Sequence, residues 1–185
     1  TLVTEEVTYS QDEDGNIISK SDAKSRSLNL PFQNINHYRA ALNSNVLLNG
    51  GQLKSTLAFQ RNIRKEFEET KDEPGLNLGL NSYTYDAKYS FANHGKWQPT
   101  IGLQGMYQTN RNSGEEFLVP DYNSNNIGAF AYLKRNFENG AINAGVRYDY
   151  KKIDGKDLFE AHDDHQHQIF NAFDNSFSNF TGSLG

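Results

Sequence analysis

The stretch NSYTYDAKYSF, residues 81–91, decides the fold class because two kinds of side chain alternate along it. From Tyr83 to Phe91 the odd positions are aromatic or alanine, and the even positions between them are polar or charged. Successive side chains of a β-strand point to opposite faces, so this pattern predicts a strand with one apolar face. The same alternation runs through residues 36–48, 53–67, 97–109 and 142–150.

Other parts of the chain carry the pattern less clearly. In residues 127–137 two phases compete, since Ile127, Ala129, Ala131 and Leu133 define one apolar face and Phe130 and Tyr132 the other. A first strand is expected near residues 2–9, and an additional strand is possible within residues 17–30. A further alternating run begins at Phe177 and reaches the last residue, so we interpret the chain as a segment of a longer protein.

The connections between these strands alternate in length. Three are short and rich in Asn and Gly, which tolerate positive φ and suit tight hairpins: residues 49–51, 93–95 and 138–140. The other connections are long polar segments, predicted as loops: residues 10–34, 68–78, 110–125 and 152–176. The sequence therefore predicts an all-β, up-and-down antiparallel meander with tight turns at one end and long loops at the other.

Composition agrees with a turn-rich β protein and excludes several functions. The chain has 185 residues, of which 22 are Asn, 15 are Gly and 12% are aromatic. The net charge of −5 disfavours nucleic-acid binding, which needs a basic face. Cysteine is absent, which excludes disulfides and thiolate metal sites.

Three features favour a membrane barrel over a soluble sheet. The predicted strands have about 11 to 15 residues, whereas soluble strands average about 5 to 6 and a tilted membrane strand needs about 9 to 11. Short turns at one end and long loops at the other are typical of outer-membrane barrels. Phe91, Trp97 and Phe137 lie near the tight turns, as in the aromatic girdles of such barrels. We therefore predict seven to eight strands of a transmembrane β-barrel in the bacterial outer membrane.

Several segments resemble one family of outer-membrane proteins. Residues 118–132 and 140–150 are similar to the barrel strands of TonB-dependent receptors, and residues 177–185 are similar to the strand that follows. Residues 30–38 and 60–67 resemble the receptors of the Bacteroidetes type. The resemblance covers nearly the whole chain from about Leu28, and its most specific piece is Gly-Val-Arg-Tyr-Asp at 145–149.

The resemblance implies a role in transport. It implies energised uptake of a scarce solute, such as a metal chelate, a cofactor or a glycan, with energy supplied by an inner-membrane coupling complex. A whole receptor barrel has about 22 strands. Residues 1–185 would then be a middle portion of the barrel wall, in contact with lipid, with the rest of the barrel and with a plug domain that this sequence lacks.

Two alternatives remain open from the residues alone. The first is a complete small barrel of eight strands in the outer membrane, with a structural or adhesive role. The second is a soluble secreted β-sheet module that binds a ligand. No catalytic motif such as Gly-x-Ser-x-Gly is present, so we predict neither an enzyme nor a resident cofactor.

Two polar loops contain groups that are able to ligate metal ions. The run HDDHQH at residues 162–167 offers imidazole and carboxylate groups, as zinc sites do, but a solvated loop is the simpler interpretation. Its weak candidate ligands are His162, Asp164, His165 and His167. Residues 12–16 carry alternate carboxylates, as calcium loops do, but lack the terminal glutamate of such loops.

Charged residues concentrate on the predicted polar face of the strands. In a receptor this face lines the lumen, where charges contact a plug or guide the solute; the simpler interpretation is a hydrated barrel interior. The residues concerned are Arg39, Lys54, Arg64, Lys88, Arg147 and Asp149. The solute-binding residues themselves are not identified by the sequence.

Overall fold

The computed structural model describes residues 30–116, 118–162 and 165–185, and all of its regular elements are strands. Seven of them form one antiparallel sheet in the order β1-β2-β3-β4-β5-β6-β9, and β7 and β8 form a separate hairpin. The predicted all-β meander is confirmed. The strands predicted near residues 2–9 and within 17–30 lie outside the described residues. The strands are β1 Phe32–Leu48, β2 Gly51–Phe67, β3 Leu76–Ser90, β4 Trp97–Asn112, β5 Tyr122–Phe137, β6 Gly140–Gly155, β7 Leu158–His162, β8 His165–Phe170 and β9 Phe173–Leu184.

The strands are longer than their alternating patterns predicted. β3 begins at Leu76 rather than at residue 81, and β5 begins at Tyr122 rather than at residue 127. These additions lie at the loop end of the sheet, where the alternation of β3 and β5 changes. In β3 the leucines at 76, 78 and 80 have the opposite phase to Tyr83, and in β5 residues 123–126 are all polar. The antiparallel ladder continues through them because backbone hydrogen bonds do not depend on the polarity of the side chains.

The three short connections close in three different ways. Between β1 and β2, Asn49 and Gly50 have φ of 50° and 75°, the pattern of a type I′ turn. Between β3 and β4, the hairpin closes at His94 and Trp97, which exchange backbone hydrogen bonds of 3.1 and 3.2 Å around Gly95. This turn lies one residue later than predicted. The third turn, Glu138–Asn139, needs no positive φ. The prediction that this turn depends on the tolerance of Asn and Gly for positive φ was therefore wrong.

The long connections lie together at the opposite end of the sheet. Ser113 N donates to Asn77 O at 2.9 Å, and Glu116 N donates to Gly75 O at 2.8 Å, which ties two of the loops together. The segment predicted as one polar loop at 152–176 is different in the structure. There β6 continues to Gly155, β9 begins at Phe173, and the hairpin β7–β8 occupies most of the connection.

The register gives the sheet two chemically distinct faces. Leu42 opposes Leu57, which opposes Tyr85, and the row continues through Gly105 and Ile127 to Tyr150 and Ser178. We call the surface that contains this row the apolar face. The opposite surface, the polar face, contains the row Asn43, Thr56, Asp86, Gln104, Gly128, Asp149 and Asn179.

The register also decides the phase of β5. Ile127 and Ala131 belong to the apolar face, and Phe130 and Tyr132 belong to the polar face. The sequence left this choice open.

The sheet has almost no hydrophobic core. Among the residues that the structure describes, Phe67 and Leu76 are the only buried apolar side chains, and both lie at the loop end. Large apolar side chains in the middle of the sheet are exposed instead, for example Leu57 at 55% and Ile101 at 48%. The described ranges contain no helix long and apolar enough to cross a membrane.

The turn geometry predicts opposite responses to alanine at two glycines. Gly50 has a φ of 75°, so Gly50→Ala should lower the free energy of unfolding by about 1 kcal/mol. Gly140 has no positive φ, and a Cβ there would meet nothing within 4 Å. Gly140→Ala should therefore leave stability unchanged or slightly higher. Denaturant titration of both variants measures this, and an equal loss in both would contradict the turn assignment.

Candidate functional site

An open groove of about 600 Å³ crosses the polar face over the middle strands of the sheet. Its lining combines charged, amide and aromatic side chains from five strands. They share one surface because each occupies the same phase of the two-residue period in its own strand. The principal lining residues are Asp86, Gln104, Asn126, Arg147, Lys151, Phe177 and Asn179.

The ion pair Arg147–Asp149 is a doubly hydrogen-bonded polar feature of the groove. The two residues are two positions apart on β6, so their side chains lie side by side on the polar face. Arg147 Nε donates to Asp149 Oδ2 at 2.6 Å, and Nη2 donates to the second carboxylate oxygen. The amide oxygen of Gln104, when oriented toward the guanidinium, accepts from Arg147 Nη2 at 2.8 Å. Arg147 thereby connects β6 to β4 across β5.

Gly128 makes this connection possible. It lies on β5 directly opposite Asp149, between the two strands that Arg147 joins. A Cβ at residue 128 would overlap both the Arg147 guanidinium and the Asp149 carboxylate. The absence of a side chain at Gly128 therefore leaves the space through which Arg147 reaches Gln104.

A second glycine makes room for the side chain of Phe130 in the same way. Its ring lies over Gly102 of the neighbouring strand β4, where a Cβ would overlap the ring. This contact explains why a phenylalanine is accommodated on the polar face of β5. A pattern within one strand cannot reveal it, because the accommodating glycine lies 28 positions earlier in the sequence.

Further hydrogen bonds join strands on the polar face. Gln108 Nε2 donates to Ser82 Oγ at 3.0 Å, and Tyr122 Oη donates to Gln108 Oε1 at 3.0 Å. Nearer the edge of the sheet, Thr56 Oγ1 donates to Asn43 Oδ1 at 2.8 Å. These pairs connect strands through hydrogen bonds between their polar side chains.

The polar face is cationic although the whole chain is acidic. All six charged residues that the sequence assigned to this face lie on it. Lys54 and Lys88 lie directly opposite each other, and Arg64 pairs with Glu66. On the described strands the face carries the cations Arg39, Lys54, Arg64, Lys88, Lys134, Arg147 and Lys151 and the carboxylates Glu66, Asp86 and Asp149.

The loop end of the opposite surface is charged. Beyond Tyr150 the apolar face gives way to Lys152, whose ammonium group lies 3.2 Å from Asp154 and 2.8 Å from Asp174. The hydrogen bond to Asp174 raises the pKa of Lys152, and the same bond lowers the pKa of Asp174. All three side chains are solvent-accessible, so their pairing contributes little to stability.

The predicted metal-binding loop coincides with the hairpin β7–β8. The register places His162 opposite His165, and Glu160 opposite His167. Asp164 lies outside the described residues, as do the side chains of the three histidines, so the metal site stays a prediction. The calcium candidate at residues 12–16 also lies outside the described residues. Elsewhere in the described chain, no group of three His, Asp or Glu side chains is arranged to hold a metal ion.

Sequence reasoning did not identify Gly128 or Phe177 as part of a site. The available signal for Gly128 was a glycine within an otherwise alternating strand, which often marks a close approach of another group. No comparable signal existed for Phe177, which reaches the groove only because β9 pairs with β6.

Comparison of the whole chain with family models, with curated proteins and with solved structures gives no match in any of the three.

The Gly128 contact predicts a coupled effect of two substitutions. Gly128→Ala should displace Arg147 from Asp149 and lower the free energy of unfolding by about 1 kcal/mol. In an Arg147→Ala background the same change should cost much less, because the Arg147 overlap is removed and the Asp149 side chain, no longer held by Arg147, is free to rotate away from residue 128. Gly79→Ala is the control, since a Cβ there meets its nearest neighbour, Arg111 O, at 3.8 Å. Additive effects in a double-mutant cycle would contradict the proposed contact.

The opposed lysines predict a gain of stability on removing one charge. Like charges directly opposite each other on a sheet are destabilising, so Lys88→Gln should raise the free energy of unfolding by a few tenths of a kcal/mol. The gain should shrink as ionic strength rises. Lys134→Gln is the matched control, because Lys134 opposes Gln98 and Asn143 instead. A loss of stability in Lys88→Gln would reveal an anionic group bound between the two lysines.

Proposed function

We propose that this chain is part of the wall of a TonB-dependent receptor β-barrel in the bacterial outer membrane, acting in the energised uptake of a scarce solute. The observation that carries the proposal is the continuous exposed apolar face of a long-stranded sheet that has almost no core of its own. A soluble protein rarely exposes an apolar surface of this kind, whereas a membrane barrel presents one to lipid.

The height of the apolar face supports the assignment to a membrane. On β4 it runs from Trp97 to Tyr107, with Ile101 and Leu103 between them. The ten residue steps from Trp97 to Tyr107, at about 3.3 Å each, span about 33 Å along the strand, or about 25 Å when the strand is tilted by about 40°. Outer-membrane barrels carry an apolar band about 25 Å tall.

The margins of the apolar face also support a membrane. Aromatic rings lie at both margins, as they do at the two interfaces of membrane barrels. At the loop side, Phe59 and Tyr83 have ring centroids 4.9 Å apart, and Tyr83 and Tyr107 have centroids 6.3 Å apart. At the turn side are Phe91, Trp97 and Phe137. Beyond the loop-side margin most outward positions are polar or charged, among them Asn36, Arg61, Asn81, Thr109 and Lys152.

The unpaired edges of the sheet favour the hypothesis that this chain is a portion of a larger barrel. In the described chain, β1 pairs only with β2 and β9 pairs only with β6, so each presents an edge to a further strand. The rest of the parent barrel would satisfy these edges. The segment resemblance to TonB-dependent receptors leads to the same proposal, and it adds a plug domain and an inner-membrane energy-coupling complex as partners.

In this role the polar face would line the lumen. Its cations and the Arg147–Asp149–Gln104 connection would contact either the plug or a passing solute. Metal chelates, cofactors and glycans remain the candidate solutes. No residue needs a catalytic role, and no resident cofactor is required.

A charge on the apolar face tests the proposed lipid contact. Leu57→Lys and Val146→Lys, made in the full-length protein, should each cost about 2–4 kcal/mol and impair insertion into the outer membrane. Thr56→Lys is the matched control, because Thr56 neighbours Leu57 but lies on the polar face opposite Asp86. Membrane fractionation and barrel folding report the result. Normal insertion of both apolar-face variants would contradict lipid contact.

The parent coding sequence separates this proposal from its rivals. A receptor should encode further barrel strands and a plug domain beside this segment. A parent that adds neither would favour the complete eight-stranded barrel, and a monomer that is stable without detergent would favour the soluble module.

A further inference from the structure

We propose that Arg135, together with Trp97 and Phe137, binds the phosphate of a membrane phospholipid at the turn-side margin of the apolar face. This inference rests on the proposed lipid contact of that face. It goes further by assigning a specific lipid-binding site, with a headgroup position and an acyl-chain groove beside it.

The headgroup position is formed by a cation held between aromatic rings. Trp97 on β4 opposes Arg135 on β5, which opposes Ile142 on β6, so Arg135 lies on the apolar face. Its guanidinium carbon lies 4.8 Å from the centroid of the Trp97 ring and 5.1 Å from that of Phe137. Two cation–π contacts therefore fix the side chain at the margin of an apolar surface.

Arg135 retains its capacity to bind an anion. Within the described chain, no carboxylate oxygen lies within 4 Å of its guanidinium, in contrast to Arg64, Arg111 and Arg147. A guanidinium that lies over aromatic rings is able to keep its edge N–H groups directed outward as donors. Two of these N–H groups are spaced to donate to two oxygens of one phosphate group.

The neighbouring turn adds a second positive charge. Lys96 lies next to Trp97 in the β3–β4 turn, and its carbonyl accepts a hydrogen bond from Asn136 N at 3.1 Å. This bond holds the turn against the strand that carries Arg135. The margin thus combines two cations with aromatic side chains, which complements an anionic headgroup above an apolar layer.

An apolar groove begins beside Arg135 and continues along the apolar face. Its volume is about 610 Å³, and its lining belongs to the rows of residues immediately further from the turns. Small residues at Ala131, Ala144 and Gly182 form its floor, between the larger Ile101 and Leu184. An apolar groove in the rows next to a phosphate-binding cation fits an acyl chain attached to a phosphate headgroup.

The groove distinguishes a lipid from a free phosphate ion. A free ion would occupy the guanidinium and leave the groove and the exposed rings uncovered. A phospholipid places its phosphate at Arg135 and its acyl chain in the groove, so both features are used by one molecule. The apolar area covered by the chain adds to the charge-assisted hydrogen bonds of the headgroup.

Lipid titration of the full-length protein in a maltoside detergent tests the proposal. The probes are phosphatidylglycerol, a galactosyl diacylglycerol without phosphate, and inorganic phosphate, with bound lipid measured by native mass spectrometry and stability by thermal unfolding. Arg135→Gln should weaken phosphatidylglycerol binding about tenfold and leave galactolipid binding unchanged. Ala144→Phe, which fills the groove, should weaken both lipids, and Arg135→Lys should recover only part of the phosphate preference.

Lys134→Gln is the matched control, since Lys134 is adjacent to Arg135 but lies on the polar face. Equal phosphatidylglycerol binding by Arg135→Gln and Lys134→Gln would overturn the headgroup assignment. Stabilisation by inorganic phosphate alone would show a free-anion site and overturn the lipid assignment. A different result, in which neither lipid binds the unmodified protein and it stays monodisperse without detergent, would overturn the proposed lipid contact itself.

Discussion

The continuous ladder of backbone hydrogen bonds between antiparallel strands is the constraint on which the rest of this structure depends. With only Phe67 and Leu76 buried as apolar side chains in the described chain, packing cannot hold the strands together. The ladder does so instead, through six strand pairs, most of them 13 to 17 residues long. A regular ladder keeps every second side chain on the same surface, and both faces of the sheet follow from that regularity.

The strands are also held together by contacts between a glycine on one strand and a large side chain on the neighbouring strand. Phe130 covers Gly102, Tyr85 covers Gly105, and Arg147 crosses Gly128. In each pair the missing side chain on one strand creates the space that a long side chain on the next strand occupies. Such pairs link neighbouring strands without a second layer of structure, and they occur on both faces of the sheet.

The two faces differ in the number and the position of their charged side chains. On the polar face, cations outnumber carboxylates and one pair of lysines is directly opposed, which suits a hydrated or anion-bearing environment. On the apolar face of the described strands, charge appears only toward the margins, as Arg135 near the turns and as Arg61, Lys65, Arg111 and the Lys152 cluster near the loops. The cost of a charge in a bilayer falls from the centre to the interface, so this distribution agrees with the proposed membrane role.

The sequence by itself determined the strand character, the two faces and the division into a turn end and a loop end, because these depend on local alternation and on turn residues. It also assigned Arg147 and Asp149 to the polar face. Only the tertiary structure decided the phase of β5, the hairpin inside the last long loop, and the groups that meet Gly128 and Arg135. These features depend on which residue of one strand opposes which residue of the next, and register is a relation between segments distant in sequence that no pattern within one strand contains.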